Sequence, residues 1–348
     1  MKVRLFSLLA FFLAFGLVAT VVRSILPESG KYAWYLRQGQ SSVESDKVVF
    51  IGSSHIYRQL DPDQFEKEIA SLGGELQAFN LGLRGAHLSE TTYFAHRVLQ
   101  DDQNQLRWLV VEAFPMYGGV SRENDFAKRQ VDWHDLTRSL DCGFALWQHW
   151  LRRPSPAFLL KQVIDAVRHT RFFAKRFTNA GTASDFLAML GRSTQMPIAG
   201  HQEIVGHQGR GFSPLQGRSF DEQALSRFAS LQTKRRKSEM LATAMPASAK
   251  SPSAPIELER VVARLEASAA QKGVSILWFI HAGAGESDWH SLQQQGVIQH
   301  LIDFSDPTLS SEWYGEEFRY DYGHLNWEGA KKMTSIVARK IHSLDSSN

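Results

Sequence analysis

Five short apolar runs alternate with segments of helical period, and this alternation restricts the fold more than any other feature of the chain. Lys47–Gly52 reads as a buried strand, Leu76–Leu81 as a second, Trp108–Phe114 as a third, Val274–Ile280 as a fourth and Val297–Phe304 as a fifth. Asp63–Ser71, Ser89–Leu99, Ile256–Gln271 and Asn326–Leu344 carry helical patterns; Phe65 and Ile69 lie four apart on one face. Strands alternating with helices predict an α/β fold, a parallel sheet covered by helices on both faces. In such sheets, sites form beyond the carboxyl ends of the strands.

The alternation breaks in the middle. Residues 121–255 show helical patches, such as Ala157–Phe173, and few strand signals. They read as a helical insertion plus linker between a first half of the α/β domain, 47–120, and a second half, 256–348. The insertion closes with a basic run, TKRRKSEM, and then ATAMPASAKSPSAP, whose composition is that of a surface linker. Leu151–Phe177 carries Arg152, Arg153, Lys161, Arg168, Arg171, Lys175 and Arg176, with Phe172, Phe173 and Phe177 interleaved. A solvated basic face over an aromatic core face accounts for this pattern. Contact with an anionic glycan or with lipid headgroups is the alternative.

The N-terminus points to a membrane. Lys2 and Arg4 precede an uncharged stretch from Leu5 to Val22, and Arg23 closes it. A run of ~18 apolar residues reaches the length of a membrane span. Cleavage after Ala19 would want a small residue where Leu17 stands. The expectation is therefore an uncleaved N-terminal transmembrane helix, residues 1–26, and a connector, 27–46. Lys2 and Arg4 favour a cytoplasmic N-terminus. The main domain then lies across the membrane: in a bacterium, a single-pass inner-membrane protein with its body in the periplasm.

Composition excludes some classes. Apolar content of 43% and charged content of 22% belong to an ordinary globular chain. The net charge of +3 gives no reason to expect a nucleic-acid partner. Basic residues beside aromatics can bind single strands, but the expected compartment argues against that use. Cys142 is the only cysteine, which excludes an intrachain disulfide and a CxxC site. No His/Asp/Glu group has metal-ligand spacing, so no metal and no cofactor are expected.

The chemistry is concentrated in three places. GSSH, Gly52 to His55, follows the first apolar run. A serine there either caps the next helix or acts as a nucleophile. A nucleophilic serine needs a base, and the base needs an orienting group. DYGHLNWEGA offers Asp321 and His324, three apart, ahead of a helix that Asn326 can cap. Taken alone, that segment is also an ordinary helix N-terminus. FNLGLRG, with Asn80, Gly82 and Gly85, follows the second strand.

In this order, the three blocks resemble the SGNH (GDSL-like) hydrolase superfamily, including its membrane-anchored branch that works beside membrane-bound O-acyltransferases on cell-surface polymers. The resemblance covers about 47–118 and 256–344. It implies a flavodoxin-like, three-layer α/β/α fold with Ser54 as nucleophile, Ser53 replacing the family's acidic residue, His324 as base and Asp321 as its orienting carboxylate. It implies oxyanion donors at the Ser54 and Gly85 backbone. One block departs from the pattern: VVEAFPMYGG lacks the asparagine that donates to the oxyanion, and losing one such donor typically costs ~10²–10³ in rate.

Further candidates for contact with substrate are Ser53, His55, Arg58, Asn80, Glu112 and His281. Each has a plainer reading: His55 as a pocket-lining or core residue, Arg58 as a solvated turn residue, Glu112 as a buried ion-pair partner. The implied activity is esterase or O-acyltransferase chemistry on acyl esters, acetyl foremost, of a cell-envelope or exported polysaccharide, with a membrane-bound O-acyltransferase as a possible partner. The alternative is a noncatalytic accessory protein of a polysaccharide acylation or export complex.

Overall fold

The computed structural model describes residues 2–25, 47–100, 105–114, 128–152, 156–179, 210–219, 254–282, 287–305 and 311–346, with a few isolated positions besides. The chain divides into two compact units, one of residues 1–33 and 117–200, the other of 34–116 and 201–348.

The larger unit is a mixed α/β structure on a five-stranded parallel sheet. Its strands are β1 (Lys47–Ile51), β2 (Gln77–Asn80), β3 (Leu106–Glu112), β4 (Ser275–Ile280) and β5 (His300–Asp303), in the order β2-β1-β3-β4-β5. Each falls inside or within two residues of a run read from the sequence. The helices of this unit, with α1 lying in the other, are α2 (Ser54–Gln59), α3 (Pro62–Ser71) and α4 (Leu88–Gln100). Numbering resumes after three helices of the smaller unit with α8 (Ile256–Gln271), α9 (Ser287–Gln294) and α10 (Trp327–Asp345).

Alternation along the strands sends side chains to two faces. Val48, Phe50, Trp108, Val110, Leu277 and Phe279 share one core with Phe65 and Ile69 of α3 and Met333, Val337 and Ile341 of α10. Val49, Leu109, Val111 and Trp278 point the other way and are buried under α4 and α8. Full burial of such a side chain contributes about 1.5–3 kcal/mol.

The strand order matters for the site. The chain leaves β1 toward β2 on one side and reaches β3 on the other, so the reversal of direction lies between β1 and β3. A crevice opens at the carboxyl ends of two such strands. Gly52–His55 and Glu112 stand there.

Residues 210–219, which the sequence reading put in the insertion, pack on this unit. The Arg210 carbonyl accepts from Asn80 N–H at 3.0 Å, extending the edge beside β2. The Arg210 guanidinium pairs with Glu66 at 2.8 Å. Leu215 and Ser219 reach the segment carrying the last block, through Trp327 N–H to Leu215 O at 2.9 Å and Ser219 N–H to Tyr320 O at 3.0 Å.

The smaller unit is helical in its described residues: α1 (Lys2–Ile25), α5 (Lys128–Trp133), α6 (Leu136–Arg152) and α7 (Pro156–Phe177). α7 packs against the other three. Its His169 and the buried His134 hydrogen-bond at 2.9 Å, and Arg176 donates to the Asp132 carbonyl. Among the described residues no helix is long and apolar enough to cross a membrane.

Candidate active site

The first apolar run ends at Ile51, and Gly52 turns the chain. A Cβ at Gly52 would stand 2.5 Å from Glu112 Oε2, so only glycine lets the Glu112 carboxyl lie against the turn. Ser53 is the N-cap of α2; its hydroxyl accepts from His55 N–H at 3.2 Å. Ser54 is the first residue of that short helix. Its side chain is partly exposed, and among the described residues its N–H has no acceptor, as expected of a first-turn donor.

The last block comes to the same place. Ser54 Oγ lies 2.9 Å from His324 Nε2. His324 Nδ1 lies 3.1 Å from both carboxylate oxygens of Asp321. Asp321 Oδ1 also accepts from Gly323 N–H at 2.7 Å and His324 N–H at 2.8 Å. Burial pushes the Asp321 carboxyl up, but the bond and charge of His324 and the two backbone donors outweigh it and hold the group below the ordinary aspartate range. The loop closes through a bridge between Arg319 and Leu325. Asn326 then caps α10 by accepting from Gly329 N–H at 3.0 Å.

The second block packs under the first. Leu83 N–H donates to the Gly52 carbonyl at 2.8 Å. At Gly82 a Cβ would collide with the backbone nitrogen of Tyr57, which explains a glycine at this approach. Gly85 has a φ of 63°, in the left-handed region.

Beneath Ser53 lies a second cluster. Glu112 is fully buried at the end of β3. Its Oε2 accepts from Ser53 N–H at 2.6 Å, and its Oε1 lies 3.1 Å from Ser53 Oγ and 2.8 Å from His55 Nδ1. His55 Nδ1 thus faces both the Glu112 carboxyl and the Ser53 hydroxyl, the latter at 2.9 Å. Burial pushes the Glu112 carboxyl up, the direction that lets it donate; His281 and the Ser53 donors pull the other way. Burial, with the nearby charges of His324 and Arg319, lowers His55 to about 3. His281 is lowered to about 3 by burial and by His55 and Arg319.

His55, Glu112 and His281 each place one ligand atom within 4.8 Å of the others. The two imidazoles stack face to face, with centroids 3.5 Å apart and planes 12° apart. Their in-plane lone pairs therefore run side by side instead of converging on one point. With Glu112 already engaged by Ser53 and His55, the arrangement suits a hydrogen-bonded cluster and not a coordination sphere.

Three residues read as substrate contacts take other places. Asn80 is fully buried: its Nδ2 donates to the Ile56 and Leu60 carbonyls at 2.7 Å each, and its Oδ1 accepts from Gly82 N–H at 2.8 Å. It ties the end of α2 to the second block and has no surface for substrate. Glu112, with no exposure, supports the serine turn from below. Arg58 donates to Ser213 O at 3.1 Å and Ser213 Oγ at 2.7 Å, holding the 210–219 segment. His55 keeps 19% side-chain exposure beside His324, and His281 stacks on it. Pro115 to Gly119, half of the segment VVEAFPMYGG, lie outside the described residues.

Arg319 escaped the sequence reading. It is buried, donating to the carbonyls of Trp313 at 2.6 Å, Tyr322 at 3.0 Å and Ala282 at 3.4 Å. It thereby fastens the loop of Asp321 and His324 to the end of β4. Its signal was an arginine two residues ahead of Asp321 in an otherwise turn-like segment.

The sequence matches no family model, and no curated protein is significantly similar to it.

Proposed function

We propose that this chain is an SGNH-like serine esterase or O-acyltransferase that acts on acyl esters of a cell-envelope or exported polysaccharide. The observation that carries the reading is the chain of contacts from Ser54 through His324 to Asp321, at 2.9 and 3.1 Å, at the carboxyl ends of β1 and β3. Ser54 Oγ attacks the acyl carbonyl carbon while His324 Nε2 takes its proton. Asp321 holds Nδ1–H and stabilises the imidazolium. The tetrahedral oxyanion is met by the Ser54 N–H, with Gly85 as second donor. Collapse expels the alcohol, which receives the proton from His324 and leaves an acyl-Ser54 ester. Water then gives the free acid; a sugar hydroxyl gives a new ester. Both outcomes use the same residues.

Residues 1–26 anchor the protein in the inner membrane with its body in the periplasm. The support for this is the uncharged run behind Lys2 and Arg4. A membrane-bound O-acyltransferase is the partner the resemblance suggests. The second reading, a noncatalytic accessory protein, is favoured by the missing asparagine in VVEAFPMYGG. Hydrolysis of short-chain chromogenic acyl esters separates the two. The enzyme reading expects turnover that disappears in Ser54→Ala and His324→Ala; equal background rates in wild type and both variants would favour the accessory role.

A further inference from the structure

Two helices of the smaller unit bury polar side chains and leave a row of large apolar ones exposed. On α6, Asp141, Cys142, Ala145 and Leu146 are buried, while Leu136, Leu140, Trp147 and Leu151 are 52–63% exposed. On α7, Gln162, Asp165 and His169 are buried, while Leu160, Val163 and Val167 are 52–63% exposed. The exposed positions of α6 are spaced four, seven and four apart, which is one continuous helical stripe. In water an amphipathic helix turns such a stripe inward. In lipid the order inverts, and polar side chains face the bundle interior.

We infer that the exposed apolar face of α6 and α7 lies in the surface of an anionic phospholipid bilayer, at the boundary of headgroups and acyl chains. Charge supports this occupant over another protein surface. From Leu136 to Phe177 there are eight basic and two acidic residues, net +6, against +3 for the whole chain. Both acids, Asp141 and Asp165, are buried, while Lys161 and Arg171 are exposed and can reach headgroups by snorkelling. Trp147 and Trp150 pack with ring centroids 5.1 Å apart, and tryptophan is enriched at membrane interfaces. Lys161, Asp165 and Arg168 make α7 too charged to cross, so it lies in the interface. The face is also continuous with the apolar N-terminal helix: Phe177 packs on Phe15 with centroids 5.4 Å apart, and Asn179 donates to the Ala19 carbonyl at 2.9 Å. This inference does not depend on the hydrolase reading, and it holds whether α1 crosses the membrane or lies on it.

The test uses full-length protein carrying Cys142→Ala and one new cysteine, Phe11→Cys, Leu140→Cys, Val163→Cys or Glu328→Cys, labelled with an environment-sensitive fluorophore. Each is placed in vesicles of phosphatidylethanolamine and phosphatidylglycerol. The labels at 140 and 163 should shift to the blue and be quenched by lipids brominated on the acyl chain. The label at 328 should keep water-like emission. Exchanging phosphatidylglycerol for phosphatidylcholine should weaken quenching at 140 and 163. Water-like emission at both positions, with 11 quenched, overturns the inference and leaves the anchor standing. A blue shift at 140 and 163 without bromine quenching also overturns it, since a second copy or another protein then covers the face. Quenching at 140 and 163 but not at 11 supports the inference and removes the anchor.

Discussion

Glu112 accepts the Ser53 backbone N–H at 2.6 Å, from the end of a neighbouring strand and with no exposure of its own. The turn that presents Ser54 is thus held by a carboxyl group the solvent does not reach. Glutamine can accept the same N–H without a charge and still offer a polar atom to His55. Glu112→Gln should therefore keep most ester turnover and stability. Glu112→Ala strands a buried N–H and leaves a cavity, a loss of about 2–5 kcal/mol by such mechanisms. Urea unfolding of both variants checks this; equal damage would mean that the turn requires the carboxylate charge.

Gly52 and Gly82 are steric requirements. Gly52→Ala and Gly82→Ala each force backbone or buried groups apart, a cost of about 1–3 kcal/mol or more. Gly143, within α6, has open space around its Cβ position, and Gly143→Ala should be neutral or stabilising. Thermal unfolding midpoints should order the three variants accordingly.

Stability should depend on pH through the stacked imidazoles. His55 and His281 are lowered from 6.5 to about 3. Each binds fewer protons folded than unfolded across that window, so their contribution is complete above about 6.5 and is lost as pH falls toward about 3. Glu112, raised by burial, acts in the opposite sense above its unfolded value. His134 in the other unit adds to the same slope. The urea midpoint should fall from about pH 7 to about pH 5 in wild type and fall less in His281→Phe. Identical slopes would remove His281 from the account.

Asp321 fixes the His324 ring through Nδ1. Asp321→Asn presents the wrong tautomer and should cut turnover severely, on the order of 10⁴-fold by analogy with the serine-protease triad. His324→Ala combined with it should cost little more than either alone, because the groups act as a unit. Additive losses would contradict a triad.

The central strands were legible as short, nearly uniform apolar runs, and burial on both faces leaves no other use for KVVFI or SILWFI. That Ser54, His324 and Asp321 meet was expected only through the resemblance that the three blocks carry in their order along the chain. The supporting groups were not. Periodicity says that Glu112 ends a buried strand, but not that Gly52, sixty residues earlier in the chain, makes room for it. Asn80 and Arg319 spend their polar atoms on backbone groups, and a backbone group has no sequence signature. The 210–219 segment joins β2 by backbone hydrogen bonds, which any sequence can make.

The most direct test is the site of covalent modification. Wild-type protein treated with an organophosphonate and digested should carry the adduct on Ser54. Ser53→Ala should still be labelled, while Ser54→Ala should not, although both variants remain folded. An adduct on Ser53, or none on either serine in folded protein, would contradict the assignment of Ser54 as the nucleophile.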